Sequence, residues 1–306
     1  MVSVIANGVD IECELDGPED GPAVLMIMGL AQQLIFWPED FYGALNAAGF
    51  RTIRFDNRDV GRSRKFHGRR APNPMFQLPA RLAGVRGLSP YSLEDMAKDA
   101  IGVLGALRVD KAHVVGVSMG GMIAQVLAAK RPERVRSLSV IMSSTNNPAL
   151  PRARAEIARA LLAPPMTTAT REEALERALQ LWSLIGTKNT GATNEELKAR
   201  LAAAYDRSHY PQGARRQLAA IIETGDLRSR FTRKIKAPTL VIHGSEDPLA
   251  PPAGGVDIFR NIPDARLEII EGMGHDIPKK FRPRIAGLIV EHLRTSDAAR
   301  TAVDAA

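Results

Sequence analysis

A serine with a glycine two positions to either side, Gly116-Val117-Ser118-Met119-Gly120, is the stretch of this sequence best suited to covalent chemistry. It reads as the tip of a sharp turn from a buried strand into a helix, where small flanking residues let the two backbones approach. Such a turn exposes the hydroxyl beside a helix N-terminus, whose N–H groups and dipole favour negative charge. A hydroxyl attacks only when a base takes its proton and a third group orients that base. Of the six histidines, His113 begins the strand that leads to Ser118 and so lies at the wrong end, and His292 falls on the last helix, where it is expected to face solvent. His67 and His209 sit in basic or polar stretches, and His243 is expected to shape the turn that follows it. His275 remains, in the glycine-rich loop Glu271-Gly-Met-Gly-His-Asp276 after the last strand. The favoured orienting acid is Asp247, at the carboxyl end of the preceding strand, with Glu246 adjacent and Asp276 next to the histidine, so the residue pattern leaves that choice open. Two backbone donors, the N–H groups of Leu30 and Met119, are expected to hold an oxyanion.

These positions depend on the elements around them. Val2 to Leu15 alternates as two strands joined at Asn7-Gly8. Ala23 to Met28, Arg51 to Phe55, the strand before Ser118, Ser137 to Ser143, Pro238 to His243 and Ala265 to Glu271 read as further strands. Helices separate them, one starting at Ser92-Leu-Glu-Asp95. The alternation predicts an α/β fold, with right-handed crossovers and a parallel sheet behind an antiparallel N-terminal hairpin. Between Pro148 and Gly225 only helical patterns occur, which predicts an inserted helical segment. The expected organisation is a core of residues 1–147 and 226–295, a helical cap or lid of 148–225, and a frayed, disordered tail of 296–306. Leu161, Leu162, Met166, Trp182 and Ile185, with Leu181 and Leu184, are the apolar cap residues that could line a substrate pocket, whereas Phe36 and Trp37 are expected to pack.

With 306 residues, 45% of them apolar and 25% charged, the chain has the composition of an ordinary globular protein. No apolar run approaches the length of a membrane span, and Asp10, Glu12 and Glu14 stand where a signal peptide would be apolar, so a cytoplasmic location is expected. The single cysteine, Cys13, is expected to pack in an early strand. The net charge of +7 concentrates between Arg51 and Arg86. Without interleaved aromatics or a nucleic-acid motif, that region reads as a solvated arginine-rich loop, and no nucleic-acid partner is expected. Asp56 and Arg58 are expected to brace the sheet edge. No His-Glu-x-x-His helix or Cys/His cluster suggests a metal, and the elbow lacks the glycine spacing of a dinucleotide site, so neither metal nor cofactor is expected.

The elbow, the Asp-Asn-Arg-Asp-Val-Gly-Arg-Ser stretch from Asp56, the Pro-Thr-Leu-Val-Ile-His-Gly-Ser-Glu-Asp-Pro stretch from Pro238 and Gly-Met-Gly-His together resemble the α/β-hydrolase fold superfamily. Among its members the chain is similar to the aclacinomycin methylesterase-like serine hydrolases, over roughly Met1 to Leu293. The resemblance implies an eight-stranded sheet with a helical cap after the sixth strand, and maps the family's serine, acid and histidine onto Ser118, Asp247 and His275. One departure is Met28-Gly29, where many members carry His-Gly before the oxyanion loop. The expected function is hydrolysis of carboxylic esters, of short to medium acyl length or lipophilic, through an acyl-enzyme, with a small-molecule ester as partner. Sibling chemistries on the same three residues (acyl transfer, amide or carbon–carbon bond hydrolysis, perhydrolysis) are the alternatives, along with a non-catalytic small-molecule receptor on the same fold.

Overall fold

The computed structural model describes residues 1–163, 170–188 and 194–304. The opening alternation becomes a hairpin. Strands β1 (Val2–Ala6) and β2 (Val9–Asp16) pair antiparallel across Asn7 and Gly8, whose φ values of 53° and 72° suit these two residue types. There follow β3 (Ala23–Ile27), α1 (Glu39–Ala47), β4 (Arg51–Phe55), α2 (Pro74–Leu82), α3 (Leu93–Ala106), β5 (Ala112–Val117), α4 (Met119–Lys130) and β6 (Val135–Ile141). Four helices come next, α5 (Ala155–Leu162), α6 (Arg171–Ile185), α7 (Asn194–Arg207) and α8 (Pro211–Thr224). Strand and helix then resume with β7 (Thr239–Gly244), α9 (Ala253–Asn261), β8 (Arg266–Ile270) and α10 (Arg282–Asp304).

One eight-stranded sheet forms, in the order β1-β2-β4-β3-β5-β6-β7-β8. Its β1–β2 and β2–β4 pairs are antiparallel and the rest parallel. The fold is α/β, as the strand-helix alternation predicts. Strands buried on both faces read as unbroken apolar runs because each face has its own helical cover. Leu25, Ile27, Val114, Leu138 and Val241 join the core under α3, α4 and α9, while their neighbours Val24, Met26, Val115, Leu240 and Ile242 pack under α1 and α10. The parallel register brings the carboxyl ends of β3, β5, β7 and β8 to one edge, where ligands bind in open sheets of this kind.

Several expectations fail in instructive ways. The region between Arg51 and Arg86, expected as a loop, contains a helix, α2, with Asn73 accepting from the Met75 N–H, Pro74 in the first turn and Pro79 inside it. The arginine-rich loop is not uniformly solvated. Arg58 is buried and donates from both Nε and Nη2 to Asp99 on α3, each at 2.6 Å, while Asp59 is clamped by Arg216 and the Tyr91 hydroxyl. Asp56 and Arg58 follow the interior strand β4 and brace its carboxyl end, Asp56 through Leu34 N–H and Arg207 and Arg58 through Asp99. His292 is buried on α10, not solvent-facing. The segment from 296, expected to fray, continues α10 as far as Asp304. Ser296 is buried there, and Asp297 accepts from Arg136 on β6 at 3.0 Å and lies 3.2 Å from His113 Nε2.

His113 carries a pH consequence. Burial depresses its imidazole from 6.5 to about 4, outweighing the pull of Asp297. Between those values the unfolded chain binds a proton that the folded chain refuses, so stability is undiminished above pH 6.5 and falls as pH drops towards 4. The loss expected from this group is at most about 3 kcal/mol. Urea midpoints at neutral pH and near the bottom of that window should differ less for His113→Gln than for the parent. Equal differences would show that His113 does not carry the acid sensitivity.

Candidate active site

The turn after β5 places Ser118 at φ 55° and ψ −121°, a region costly for a side chain bearing Cβ. The surrounding contacts enforce it. Ser118 N–H donates to the Ile141 carbonyl at 2.9 Å, and Ser143 Oγ donates to the Ser118 carbonyl at 2.7 Å. The flanking glycines are steric requirements: a Cβ on Gly120 would stand 2.0 Å from the Ile27 carbonyl oxygen, and one on Gly116 would stand 2.4 Å from that of Gly120. Strand β3, strand β5 and helix α4 can therefore converge only through glycine, and the serine is left at the tip.

His275 Nε2 lies 3.0 Å from Ser118 Oγ, and His275 Nδ1 lies 2.7 Å from Asp247 Oδ2. Of the acids left open by the sequence, the structure brings Asp247 to the imidazole. Asp276 turns away and accepts from Thr187 N–H at 2.8 Å and from its hydroxyl. The other Asp247 oxygen, Oδ1, accepts from the N–H groups of Leu249 and Ala250 at 3.0 and 2.8 Å. His243 is 3.5 Å from Asp247 Oδ2, and its Nε2 contacts the Ala250 carbonyl at 2.7 Å, so it does shape this turn while standing behind the carboxylate. Burial alone would raise the Asp247 carboxyl, but the two imidazoles and their hydrogen bonds outweigh it and hold the group well below the usual carboxylate range. Asp247 is thus ionised throughout the physiological range, and orients Nδ1–H so that Nε2 faces the serine as an acceptor. Cys13 offers no rival nucleophile. Burial first, with Asp56 and Glu12 added, pushes its thiol up to about 12.

Met119 is the first residue of α4, and Leu30 lies in the loop after β3, where a Cβ on Gly29 would come 3.2 Å from the Ser118 Cβ. Of the residues that hold that loop, Asp56 belongs to a motif stretch, while Gln33 and Gln217 belong to none. Ala31, at φ 60°, donates its N–H to Gln217 Oε1 on α8 at 2.8 Å, and Gln217 Nε2 donates to the Arg58 carbonyl. Asp56 accepts from Leu34 N–H at 2.8 Å and from Arg207 at 2.6 Å, while Gln33 donates to the carbonyls of Ala204 and Ser208. The histidine loop is tied to the same helical segment: His275 N–H donates to the Ile185 carbonyl, and Gly274 N–H to Thr187 Oγ1, both at 2.8 Å.

A cavity of about 730 Å³ opens over Ser118 and His275. Met28, Phe36, Val117, Met142 and Ile277 line it, together with Leu161, Leu179, Trp182, Ile185 and Leu197 from α5, α6 and α7. Phe36 both packs and lines the cavity, its ring stacked on Trp182 at 6.1 Å. Of the apolar residues expected there, Leu161, Leu181, Trp182 and Ile185 line it, whereas Leu184 does not. Leu162 instead lies 43% exposed, because the next position along α5 is rotated outward once Ile157 and Leu161 face in. Met166 lies outside the described residues. Among the described residues, no three or more His, Cys, Asp or Glu side chains gather to hold a metal ion, and no helix is long and apolar enough to cross a membrane.

The family model of the alpha/beta hydrolase fold matches residues 22–279. The chain belongs to the α/β hydrolase fold family. Within that family, it is 30% identical over 299 residues to the rhodomycin D methylesterase DauP of Streptomyces sp. (strain C5), a match covering 91% of this chain and 93% of that one. It is also 30% identical over 304 residues to the rhodomycin D methylesterase DnrP of Streptomyces peucetius, covering 92% and 94%. Among solved structures, a meta-cleavage product hydrolase from Pseudomonas fluorescens IP01 superposes with a TM-score of 0.75 over 97% of this hydrolase and 98% of its own chain. At 20% identity that likeness speaks to the fold alone.

Proposed function

We propose that the protein is a serine esterase that cleaves small-molecule carboxylic esters through an acyl-enzyme on Ser118. The observation that carries this reading is the chain Asp247–His275–Ser118, with contacts of 2.7 and 3.0 Å, opening into a largely apolar cavity. Two relatives bearing the name methylesterase over nearly the whole chain support the ester as the bond cleaved. In the first half-reaction Ser118 Oγ attacks the carbonyl carbon as its proton passes to His275 Nε2. Negative charge gathers on the carbonyl oxygen, where the Leu30 and Met119 N–H groups receive it. His275 then protonates the departing alkoxide, and the alcohol leaves. In the second half, His275 takes a proton from water, hydroxide attacks the acyl group, and the acid departs as Ser118 regains its proton. Asp247 stays ionised and supports the imidazolium in both. Residues 148–225 act as the cap: Trp182 and Ile185 cover the acyl-binding cavity, and their segment fastens the histidine and oxyanion loops.

A panel of methyl and p-nitrophenyl esters of graded acyl length, run beside the matching amides and a perhydrolysis assay, tests the reaction class. Ester turnover well above amide turnover, with short to medium lipophilic acyl groups preferred, is the expected result. Turnover of the amide or peroxide alone would overturn it. Gln217 supplies a second test, because it holds Ala31 next to a proposed oxyanion donor. Gln217→Met should lower kcat by about tenfold with KM little changed, since donor placement matters most in the transition state. A change confined to KM would place Gln217 outside the oxyanion support.

A further inference from the structure

Helix α2 is inside out. Its polar residues face the protein: Gln77 is buried and donates to the Ala219 carbonyl at 2.9 Å, and Arg81 donates to the carbonyls of Glu223 and Thr224 at 2.7 and 3.2 Å. Its apolar residues face outward, with Met75 and Phe76 each 77% exposed and Leu82 63% exposed. Val85 and Leu88, in the loop that follows, extend the exposed apolar surface. A helix normally turns such a stripe to the core, and an exposed apolar patch of this kind marks an interaction surface.

Charge identifies what it meets. From Val60 to Leu93 the sequence has seven Arg and Lys residues and no Asp or Glu. Two of the seven are committed inward, Arg81 as above and Lys65 to the carbonyls of Gly61 and Ser63. Arg69 and Arg70, just before α2 in the chain, and Arg86, in the loop after it, are exposed, as are Arg62 and Arg64 earlier in the chain. The nearby acid on the packed helix, Glu223 of α8, is taken up by the N–H groups of Gly87, Leu88 and Ser89 beneath the loop. An apolar stripe bordered by arginines is the pattern of a helix lying in a lipid–water interface, apolar side chains among the acyl chains and cations at the headgroups. A second copy of this chain fits poorly, because a two-fold contact would set this arginine-bordered face, which has no Asp or Glu from Val60 to Leu93, against its own copy.

We infer that α2 and the loop to Leu88 form a docking surface for an anionic phospholipid membrane, on which this helix lies flat. The inference stands apart from the esterase reading and needs no assumption about the substrate. Flotation of the full-length protein with phosphatidylcholine vesicles, and with vesicles that also contain phosphatidylglycerol, tests it. Binding should require the anionic lipid and weaken as salt is raised. Met75→Ser/Phe76→Ser and Arg69→Ser/Arg70→Ser should each weaken partitioning about tenfold or more. Both pairs are exposed, so unfolding temperatures should match the parent and certify the fold. Equal binding to neutral vesicles, no binding to either, or parent-like partitioning of both variants would overturn the inference. So would a parent dimer in sedimentation that Met75→Ser/Phe76→Ser turns into a monomer, since the face would then belong to a second copy.

Discussion

Ser118→Ala is expected to reduce kcat for ester hydrolysis by about 10⁴-fold or more, leaving KM within a few-fold of the parent. The asymmetry follows from where Ser118 stands. Its backbone makes the elbow, through the bonds to Ile141 and Ser143, and these do not need the hydroxyl. Alanine keeps those bonds and leaves the cavity walls untouched, so substrate still enters while the attacking oxygen is gone. The residual rate would come from the donors near Leu30 and Met119 and from positioning alone. Steady-state kinetics on one short-chain ester, with a thermal melt as the folding control, would check this. Turnover within tenfold of the parent would mean the reaction does not pass through Ser118.

Asp247→Asn is expected to cost about 10⁴-fold in kcat by a different route. Asparagine retains an Oδ1 acceptor for the Leu249 and Ala250 N–H groups, so the turn after β7 is preserved. Its other end now presents an N–H to His275 Nδ1 where a carboxylate stood at 2.7 Å. The imidazole then moves its proton to Nε2, the nitrogen 3.0 Å from Ser118, and can no longer accept from the serine. A fall confined to kcat, in a protein that melts close to the parent, is the signature. A variant retaining more than a tenth of the parent kcat would assign the orienting role to another acid.

The fold and the meeting of Ser118, Asp247 and His275 were legible because each is written locally. Central strands such as Ala23–Ile27 are uninterrupted apolar runs, and the elbow's glycines are demanded by clearances of 2.0 and 2.4 Å that no other residue survives. Asp247 and His275 follow strands that end on the same edge as β5, so strand order alone brings them near Ser118. The supports around them were not legible. Gln217 meets Ala31 across 186 residues, and nothing in the pattern of α8 distinguishes that glutamine from a solvated one. Asp56 and Arg58 read only as braces for the sheet edge, because their partners Arg207 and Asp99 lie on helices remote in sequence. The exposed face of α2 runs against the rule that apolar residues turn inward, and Pro79 hid the helix altogether. Leu162 shows the limit for pocket residues: consecutive leucines on one helix point about 100° apart, and only packing decides which faces the cavity. Composition misjudged the tail, since the alanine-rich end of α10 is anchored by Asp297 to Arg136 and His113.

Intact-protein mass spectrometry after exposure to a fluorophosphonate, followed by peptide mapping, tests the central claim most directly. One adduct per chain, located on the peptide that contains Ser118 and accumulating in step with the loss of ester turnover, is the expected result. Full ester turnover in a protein that carries no adduct, or an adduct mapped to another residue, would contradict it.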